Sequence, residues 1–155
     1  MVTVTVGDIV DGQAQDHVEE RIYIARDGEV IFYVGKSDRT IEERILEHCG
    51  VGRFATLDAL GLLITDNLPD SAHWQVDMMT IEDCKPFAEE SDREGLDVAG
   101  AEIVMIAHYR PCLNAIHNRR PAPLPGKYNR RAVGNGALAA LRAATHDTPK
   151  PKPSK

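Results

Sequence analysis

The chain has 155 residues, 43% of them hydrophobic and 27% charged, which suits one domain with a hydrophobic core and is too short for two. The start, residues 1–10, carries Asp8 and no basic residue, so we expect no signal peptide, no membrane partner and a cytoplasmic location. The three cysteines, Cys49, Cys84 and Cys112, form no Cys-x-x-Cys pair, which argues against a disulfide framework or a zinc ribbon.

Charge is divided unevenly along the chain. The net charge is −6, but residues 1–107 hold 8 Lys and Arg against 23 Asp and Glu, a net charge of −15. Residues 108–155 hold 10 against 1, a net charge of +9. A basic C-terminal region behind an acidic body is typical of electrostatic attachment to phosphates. A solvated tail that keeps the protein in solution explains the same pattern equally well.

The first third of the chain predicts strands. Alternating Val and Thr predict a strand at residues 2–6, and the polar residues 7–17 predict a loop. Two short apolar runs, residues 22–25 and 30–34, are joined by a segment with the Asp-Gly turn signal. They predict a β-hairpin.

The rest of the domain alternates predicted helices and one strand. A helix is expected to begin after Thr40, which forms a capping-box pattern with Glu43, and to end at Gly50. A second helix is expected at residues 54–64, a strand around Trp74 at residues 73–81 and an acidic link at 83–92. A long helix is expected at residues 93–109, ending before Pro111. Its predicted core stripe is Leu96, Ala99, Ile103 and Ile106.

These elements predict an α/β fold with a small, mainly antiparallel central β-sheet flanked by helices and an added N-terminal strand. We place the globular domain at residues 1–118 and a basic, partly disordered C-terminal arm at residues 119–155. A short Ala-rich helix is expected in the arm at residues 136–144. The Pro- and Lys-rich residues 148–155 are expected to be disordered.

Several residues with polar or ionisable side chains occur in a defined order along the chain. Tyr23 is followed after nine residues by the segment Tyr-Val-Gly-Lys-Ser, residues 33–37, and then by Arg44 and His48. Farther along come Glu102, on the long predicted helix, and the segment Pro-Cys-Leu-Asn at residues 111–114. This set resembles the core of the GIY-YIG nuclease family over residues 21–116. The chain departs from the family pattern at Arg21, where Gly is usual, and at Val34, where Ile is usual.

The resemblance implies a metal-dependent endonuclease that hydrolyses nucleic-acid phosphodiester bonds. It implies catalytic roles for Tyr23, Tyr33, Lys36, Arg44, His48 and Asn114, with one Mg²⁺ (or Mn²⁺) on Glu102. One tyrosine would act as the base and the other would position the attacking water. We favour Tyr23 as the base, although the sequence does not separate the two.

The other family residues would assist these two phenols. We expect the positive charge of Lys36, Arg44 and the metal to lower a tyrosine pKa, and Arg44 to bind a phosphate oxygen. His48 would orient a tyrosine or take its proton. Asn114 would hold the backbone of the site or a metal-bound water.

Chemical reasoning from the residues themselves agrees with this expectation. Alternation in the hairpin places Tyr33 on one face with Ile31 and Gly35, and Arg44 and His48 are four residues apart on one side of a helix. Glu102 has apolar helical neighbours. A carboxylate at such a position is uncommon unless it is paired or binds a metal.

The C-terminal arm supplies the residues expected to bind nucleic acid, DNA more readily than RNA. Tyr128 would stack on a base. His108 and His117 lack partners at metal-ligand spacing and are expected to be surface residues. Phosphate contacts are expected from Arg119, Arg120, Lys127, Arg130 and Arg131.

Each site residue also has an ordinary structural explanation. The tyrosines could be strand aromatics, Arg44 could pair with Glu47, His48 could end a helix, and Glu102 could pair with Arg110. Two other functional classes stay open: a non-catalytic nucleic-acid-binding or regulatory module, and a protein-interaction domain that uses the acidic body. The oligomeric state and the sequence specificity are also open.

Overall fold

The computed structural model describes residues 1–14 and 17–129. Its centre is an antiparallel sheet of four strands in the order β1-β4-β2-β3. The strands are β1 Val2–Thr5, β2 Ile22–Asp27, β3 Val30–Lys36 and β4 Gln75–Met79. The α/β class, the hairpin and the added N-terminal strand are therefore confirmed. The predicted Ala-rich helix and the Pro- and Lys-rich end lie outside the described residues.

Helices cover both faces of the sheet. They are α1 Val6–Val10, α2 Ile41–His48, α3 Ala59–Asp66, α4 Ile81–Cys84 and α5 Val98–Tyr109. Single 3₁₀ turns occur at Asp70–His73, Lys85–Phe87, Glu90–Asp92 and Gly126–Tyr128. Within residues 1–14 and 17–129, no helix is long and apolar enough to cross a membrane.

Each face of the sheet has its own hydrophobic core. On one face, α1, α2 and α3 pack over a cluster that includes Tyr23, Phe32 and Trp74. On the other face, α5 packs through Ala101, Met105 and Ile106 over side chains such as Ile22 and Ile24. The alternation of β2 between the two clusters follows directly from the period of two in a strand.

A β-bulge in the hairpin changes this alternation in β3. Ala25 pairs with Tyr33, whereas Arg26 pairs with Ile31, so Phe32 is an extra residue on its strand. Phe32 and Tyr33 consequently face the same core, and Ile31 packs against the opposite one. The expectation that Ile31 shares a face with Tyr33 is wrong for this reason. Bulges commonly redirect a side chain beside a functional site.

Four predicted boundaries were wrong, and in three cases an N-cap explains the difference. Residues 7–10 are helical, because Thr5 caps α1 with a reciprocal bond to Asp8. The second helix begins at residue 59 and the last at residue 98, because Asp58 and Asp97 are their N-caps. The acidic link contains α4 and two 3₁₀ turns.

The core stripe predicted for the last helix was wrong at two of its four positions, since Ile106 is buried and Leu96 packs against the same core. Ile103 is 40% exposed and Ala99 is exposed, whereas Ala101 and Met105 are buried. The predicted stripe had Leu96 as its first member, but the helix starts after it. Apolar residues on several sides of α5 make the buried face ambiguous from sequence alone.

The segment after α5 closes the exposed edge of β3. Cys112 and Leu113 donate backbone hydrogen bonds to Ile31 and Phe32 at 3.0 and 2.8 Å. Farther on, Tyr128 is 4% exposed and belongs to the core that α1, α2 and α3 cover. The packed body therefore extends past residue 118, where the sequence placed its end.

Candidate active site

A buried tyrosine, a histidine and an aspartate form a hydrogen-bonded chain on the face of the sheet that α1, α2 and α3 cover. The Tyr23 hydroxyl lies 2.6 Å from His48 Nε2, and His48 Nδ1 is hydrogen-bonded to Asp58 Oδ2. Because a carboxylate only accepts hydrogen bonds, Nδ1 carries the imidazole proton and Nε2 accepts the tyrosine proton. Tyr23 and His48 are both 0% exposed.

A glycine at the start of α3 allows this hydrogen-bonded chain of side chains to form. Asp58 caps α3 by accepting from the Gly61 N–H at 3.1 Å. A Cβ on Gly61 would lie 1.6 Å from the carbonyl oxygen of His48, so only glycine lets the start of α3 approach the end of α2. That approach brings the Asp58 carboxylate to the His48 ring.

Gly35 has the same role for the two phenols. It pairs with Tyr23 across the hairpin, and a Cβ on it would lie 2.4 Å from the Tyr23 hydroxyl and 2.8 Å from the Tyr33 ring. The ring centroids of Tyr23 and Tyr33 are 6.0 Å apart, and Tyr33 is 5.2 Å from the His48 ring. Tyr33 is only partly buried, so it is the phenol that solvent or a substrate can reach.

Arg44 supplies positive charge to this cluster. Its charge lowers the pKa of Tyr23, Tyr33 and His48, which places it within electrostatic range of all three groups. The guanidinium also lies 3.7 Å from the buried carboxylate of Glu47, which binds Arg39 more closely, at 2.5 Å. The alternative pairing of Arg44 with Glu47 is thus present as a long contact.

Glu102 approaches the phenols from α5, on the other face of the sheet. Burial raises its pKa above the usual value, while the charges of Lys36 and His117 and the Lys36 backbone N–H lower it. Its own charge raises the pKa of both Tyr23 and Tyr33. The alternative partner, Arg110, instead donates from Nε to the Arg120 carbonyl at 2.7 Å. Glu102 therefore lies beside the end of β3, within range of both tyrosines.

Burial has the greatest influence on the pKa values of the two tyrosines. It raises both pKa values, that of Tyr23 well above its usual value of 10.0. Arg44 opposes this effect without reversing it. Burial also lowers the pKa of His48, against the raising influence of Asp58. At neutral pH both phenols are protonated and the imidazole is neutral.

Asn114 binds the backbone of the site and contacts neither phenol. Its side chain accepts from the Val34 N–H at 2.9 Å and donates to the Val34 carbonyl at 2.8 Å. Val34 lies between Tyr33 and Gly35, so this pair of bonds fixes the part of β3 that carries them. Of the two roles expected for Asn114, the structure places it in the first, holding backbone.

The residues expected to bind nucleic acid are dispersed. Arg119 and Arg120 line a groove with His117, whereas Lys127 lies elsewhere, 5.0 Å from the Tyr128 ring centroid. Arg130 and Arg131 lie outside the described residues.

The stacking role expected for Tyr128 was wrong. Its ring packs against Phe32 and Trp74, and its hydroxyl donates to Asp27 at 2.6 Å. A ring that is 4% exposed has no free face for a base.

Sequence reasoning missed Asp58 and His117. Asp58 was expected inside a helix; its separation of three from Gly61 is the N-cap signal that could have identified it. His117 was expected to be a surface residue and is exposed, but its charge acts on Glu102. Ten residues separate His48 from Asp58 and fifteen separate Glu102 from His117, so no local pattern connects either pair.

The donors at Glu102 suit a hard cation that keeps most of its water. Among the described residues, no three His, Cys, Asp or Glu side chains form a group that could enclose a metal ion. A single partly buried carboxylate can hold Mg²⁺, which usually binds proteins through one or two carboxylates. The same donor does not suit zinc, which takes several nitrogen or sulfur ligands.

Comparison of the chain with protein-family models, with curated proteins and with solved structures finds no match.

Proposed function

We propose that this protein is a divalent-metal-dependent endonuclease of the GIY-YIG type that hydrolyses nucleic-acid phosphodiester bonds, those of DNA before those of RNA. The observation that carries the proposal is the cluster of Tyr23, Tyr33 and His48, with Arg44 and Glu102 within electrostatic range of both tyrosines. These five residues come from the hairpin and from helices on opposite faces of the sheet. An ordinary structural role for each would not require this arrangement.

Proton transfer in this proposal uses the buried chain. The partly exposed Tyr33 contacts the attacking water, and its ring lies beside that of Tyr23, with the ring centroids 6.0 Å apart. As the water oxygen bonds to phosphorus, the water proton passes to the Tyr33 oxygen, the Tyr33 proton to Tyr23 and the Tyr23 proton to His48 Nε2. The bond from phosphorus to the leaving oxygen breaks. The carboxylate of Asp58 stabilises the imidazolium that results.

Charge on the phosphate is balanced by cations on two sides. Arg44 binds a non-bridging phosphate oxygen, and Lys36, exposed at the end of β3, adds a second positive charge. Glu102 would hold the Mg²⁺ or Mn²⁺, which when bound stabilises the negative charge that develops on the phosphate. Asn114 keeps the two phenols at a fixed distance from these cations through Val34.

Cleavage of plasmid DNA tests the proposal. We expect nicking of supercoiled plasmid with Mg²⁺ or Mn²⁺ and none with EDTA, and we expect Arg44→Ala and Glu102→Ala to abolish it. Arg53→Ala, which removes an exposed arginine outside the site, is the control and should cut normally. Binding without cutting under every divalent cation would instead indicate a non-catalytic nucleic-acid-binding module. An active Glu102→Ala protein would refute the metal assignment.

A further inference from the structure

A groove of about 1030 Å³ runs along the outer side of α5. Its cationic or titratable lining side chains are three arginines and one histidine, with no acidic residue among them, in a chain whose net charge is −6. Exposed apolar side chains of α5 line it as well. We call it the basic groove, and its defining residues are Ile103, Ala107, Arg110, His117, Arg119 and Arg120.

The basic groove lies near Glu102, although Glu102 is not one of its lining residues. Ile103 follows Glu102 on α5, and His117 lies within electrostatic range of the Glu102 carboxylate. A ligand strand that leaves Glu102 along the helix therefore enters the groove within one helical turn.

Hydrogen bonds hold the cationic wall of the groove in place. Arg110 has φ 51, the left-handed conformation, and donates to the Arg120 carbonyl, while Ala122 donates its N–H to the Arg110 carbonyl at 3.0 Å. Asn118 donates to the carbonyls of Pro111 and Asn114 at 2.8 and 2.9 Å. Wall residues held this way are preorganised, which lowers the entropic cost of binding.

A second observation in the groove also indicates a ligand. Asn118 is 8% exposed, and its side-chain oxygen has no hydrogen-bond partner among residues 1–14 and 17–129. A buried acceptor without a donor is uncommon and costs free energy. Every nucleobase carries an N–H donor, so a strand in the groove, after a small shift of the wall, can satisfy this oxygen.

We propose that the basic groove binds an unpaired nucleic-acid strand that continues from the scissile phosphate. This inference rests on the proposed nuclease function and specifies its substrate as nucleic acid with a single-stranded segment beside the cleavage site. The three arginines contact phosphates, and Ile103 and Ala107 contact base and sugar surfaces. In a blunt duplex, stacking covers the base faces, so a duplex would meet only the arginines.

Within the described part of the chain, no aromatic ring lines the groove, so its lining there provides phosphate contact and aliphatic contact without base stacking. Binding is consequently dominated by charge, with little base preference and a strong dependence on salt.

Binding in a cleavage-deficient background tests the groove. Fluorescence anisotropy of Glu102→Gln protein is measured with a labelled oligothymidylate of about 12 nucleotides, with a blunt duplex and with a duplex that carries a single-stranded extension. We expect roughly tenfold tighter binding of the two probes that contain an unpaired strand, a difference of about 1.4 kcal/mol. Equal affinity for the blunt duplex would overturn the proposal.

Two double variants distinguish binding in the groove from a general effect of positive charge on affinity. Arg119→Ala with Arg120→Ala should lower the slope of log affinity against log salt by about 1.4 for the single strand, at about 0.7 per phosphate. The control, Arg53→Ala with Arg93→Ala, removes the same charge from exposed positions outside the groove and should leave the slope unchanged. An equal change in the control overturns the proposal.

Ile103→Asn tests the apolar contact without adding charge, at a position already 40% exposed, where folding should tolerate the change. It should weaken strand binding about tenfold. A change in oligomeric state without a change in strand affinity would identify a second copy of the chain as the occupant and refute the proposal. If no divalent cation supports cleavage but the groove variants still lose strand affinity, the nuclease proposal fails and the groove proposal stands.

Discussion

The Tyr23 hydroxyl and His48 Nε2 are 2.6 Å apart at a point where neither side chain is exposed to solvent. A neutral imidazole in this position accepts the phenol proton, because its other nitrogen is committed to Asp58. Tyr33, beside the pair, is partly exposed to solvent. The arrangement gives two tyrosines of raised pKa a base that is already in place.

The first prediction concerns Asp58→Asn. Asparagine keeps the cap on α3 but removes the charge that raises the His48 pKa. We expect kcat to fall roughly 100-fold with little change in KM. The acidic limb of the pH–rate profile, where protonation of His48 stops the reaction, should move to lower pH because the His48 pKa falls further.

Asp97→Asn is the matched control for this prediction. Asp97 caps α5 by the same kind of bond, from the Gly100 N–H at 2.8 Å, and belongs to no histidine pair in the described chain. It should leave kcat and the pH profile unchanged. If both variants lose activity equally, or if the limb of Asp58→Asn does not move, Asp58 is only a cap.

The relation between Tyr23, Tyr33, Arg44 and His48 could be predicted because it is local. A hairpin and the next helix bring these residues together over a short stretch of chain, and alternation and helical spacing determine their faces. Asp58 could not be found in this way. Its contact with His48 depends on where α3 begins, and that boundary was placed five residues too early.

The outer face of α5 shows a second limit of the sequence. Ile103 was expected in the core because apolar residues surround the helix, and a pattern without a polar face does not reveal which side is buried. Tyr33 was placed on the correct face, but the bulge at Phe32 that separates it from Ile31 leaves no sequence signal here. Both are consequences of tertiary packing, which the one-dimensional pattern does not contain.

Gly35→Ala is the second prediction. The added Cβ would lie 2.4 Å from the Tyr23 hydroxyl, so one phenol must move, and overpacking of this kind costs about 1 to 3 kcal/mol. We expect a lower melting temperature and loss of plasmid cleavage. Gly95→Ala, where a Cβ meets nothing within 4 Å, should behave as the wild type. A fully active Gly35→Ala protein would show that the close approach of the phenols is unnecessary.

Tyr128 provides the third prediction. Because its ring lies in the core against Phe32 and Trp74, Tyr128→Ala should destabilise the fold by about 3 to 5 kcal/mol. Tyr128→Phe, which loses only the bond to Asp27, should cost about 1 kcal/mol. Urea unfolding measures both values. Affinity of Tyr128→Phe for single-stranded DNA should equal that of the wild type; a stacking role for the ring would instead appear as lost affinity in a folded Tyr128→Ala protein.

The last prediction is that removing the Glu102 charge stabilises the fold while it abolishes activity. Burial raises the pKa of Glu102 above its usual value of 4.5, so the folded protein favours the protonated carboxyl. The stability gained from that proton is present in full below pH 4.5 and is lost as the pH rises through the raised pKa. At neutral pH the wild type therefore holds a carboxylate that destabilises it, and Glu102→Gln does not. We expect a higher melting temperature for Glu102→Gln at pH 7, with the difference from the wild type shrinking as the pH falls toward 4.

The control for this prediction is Glu94→Gln, at an exposed position, which should show no such trend. A Glu102→Gln protein less stable than the wild type at neutral pH would mean that structural partners stabilise the carboxylate. The raised pKa indicates a destabilising charge that is retained for function. Without that destabilisation, the argument for a cation at Glu102 would lose its physical basis.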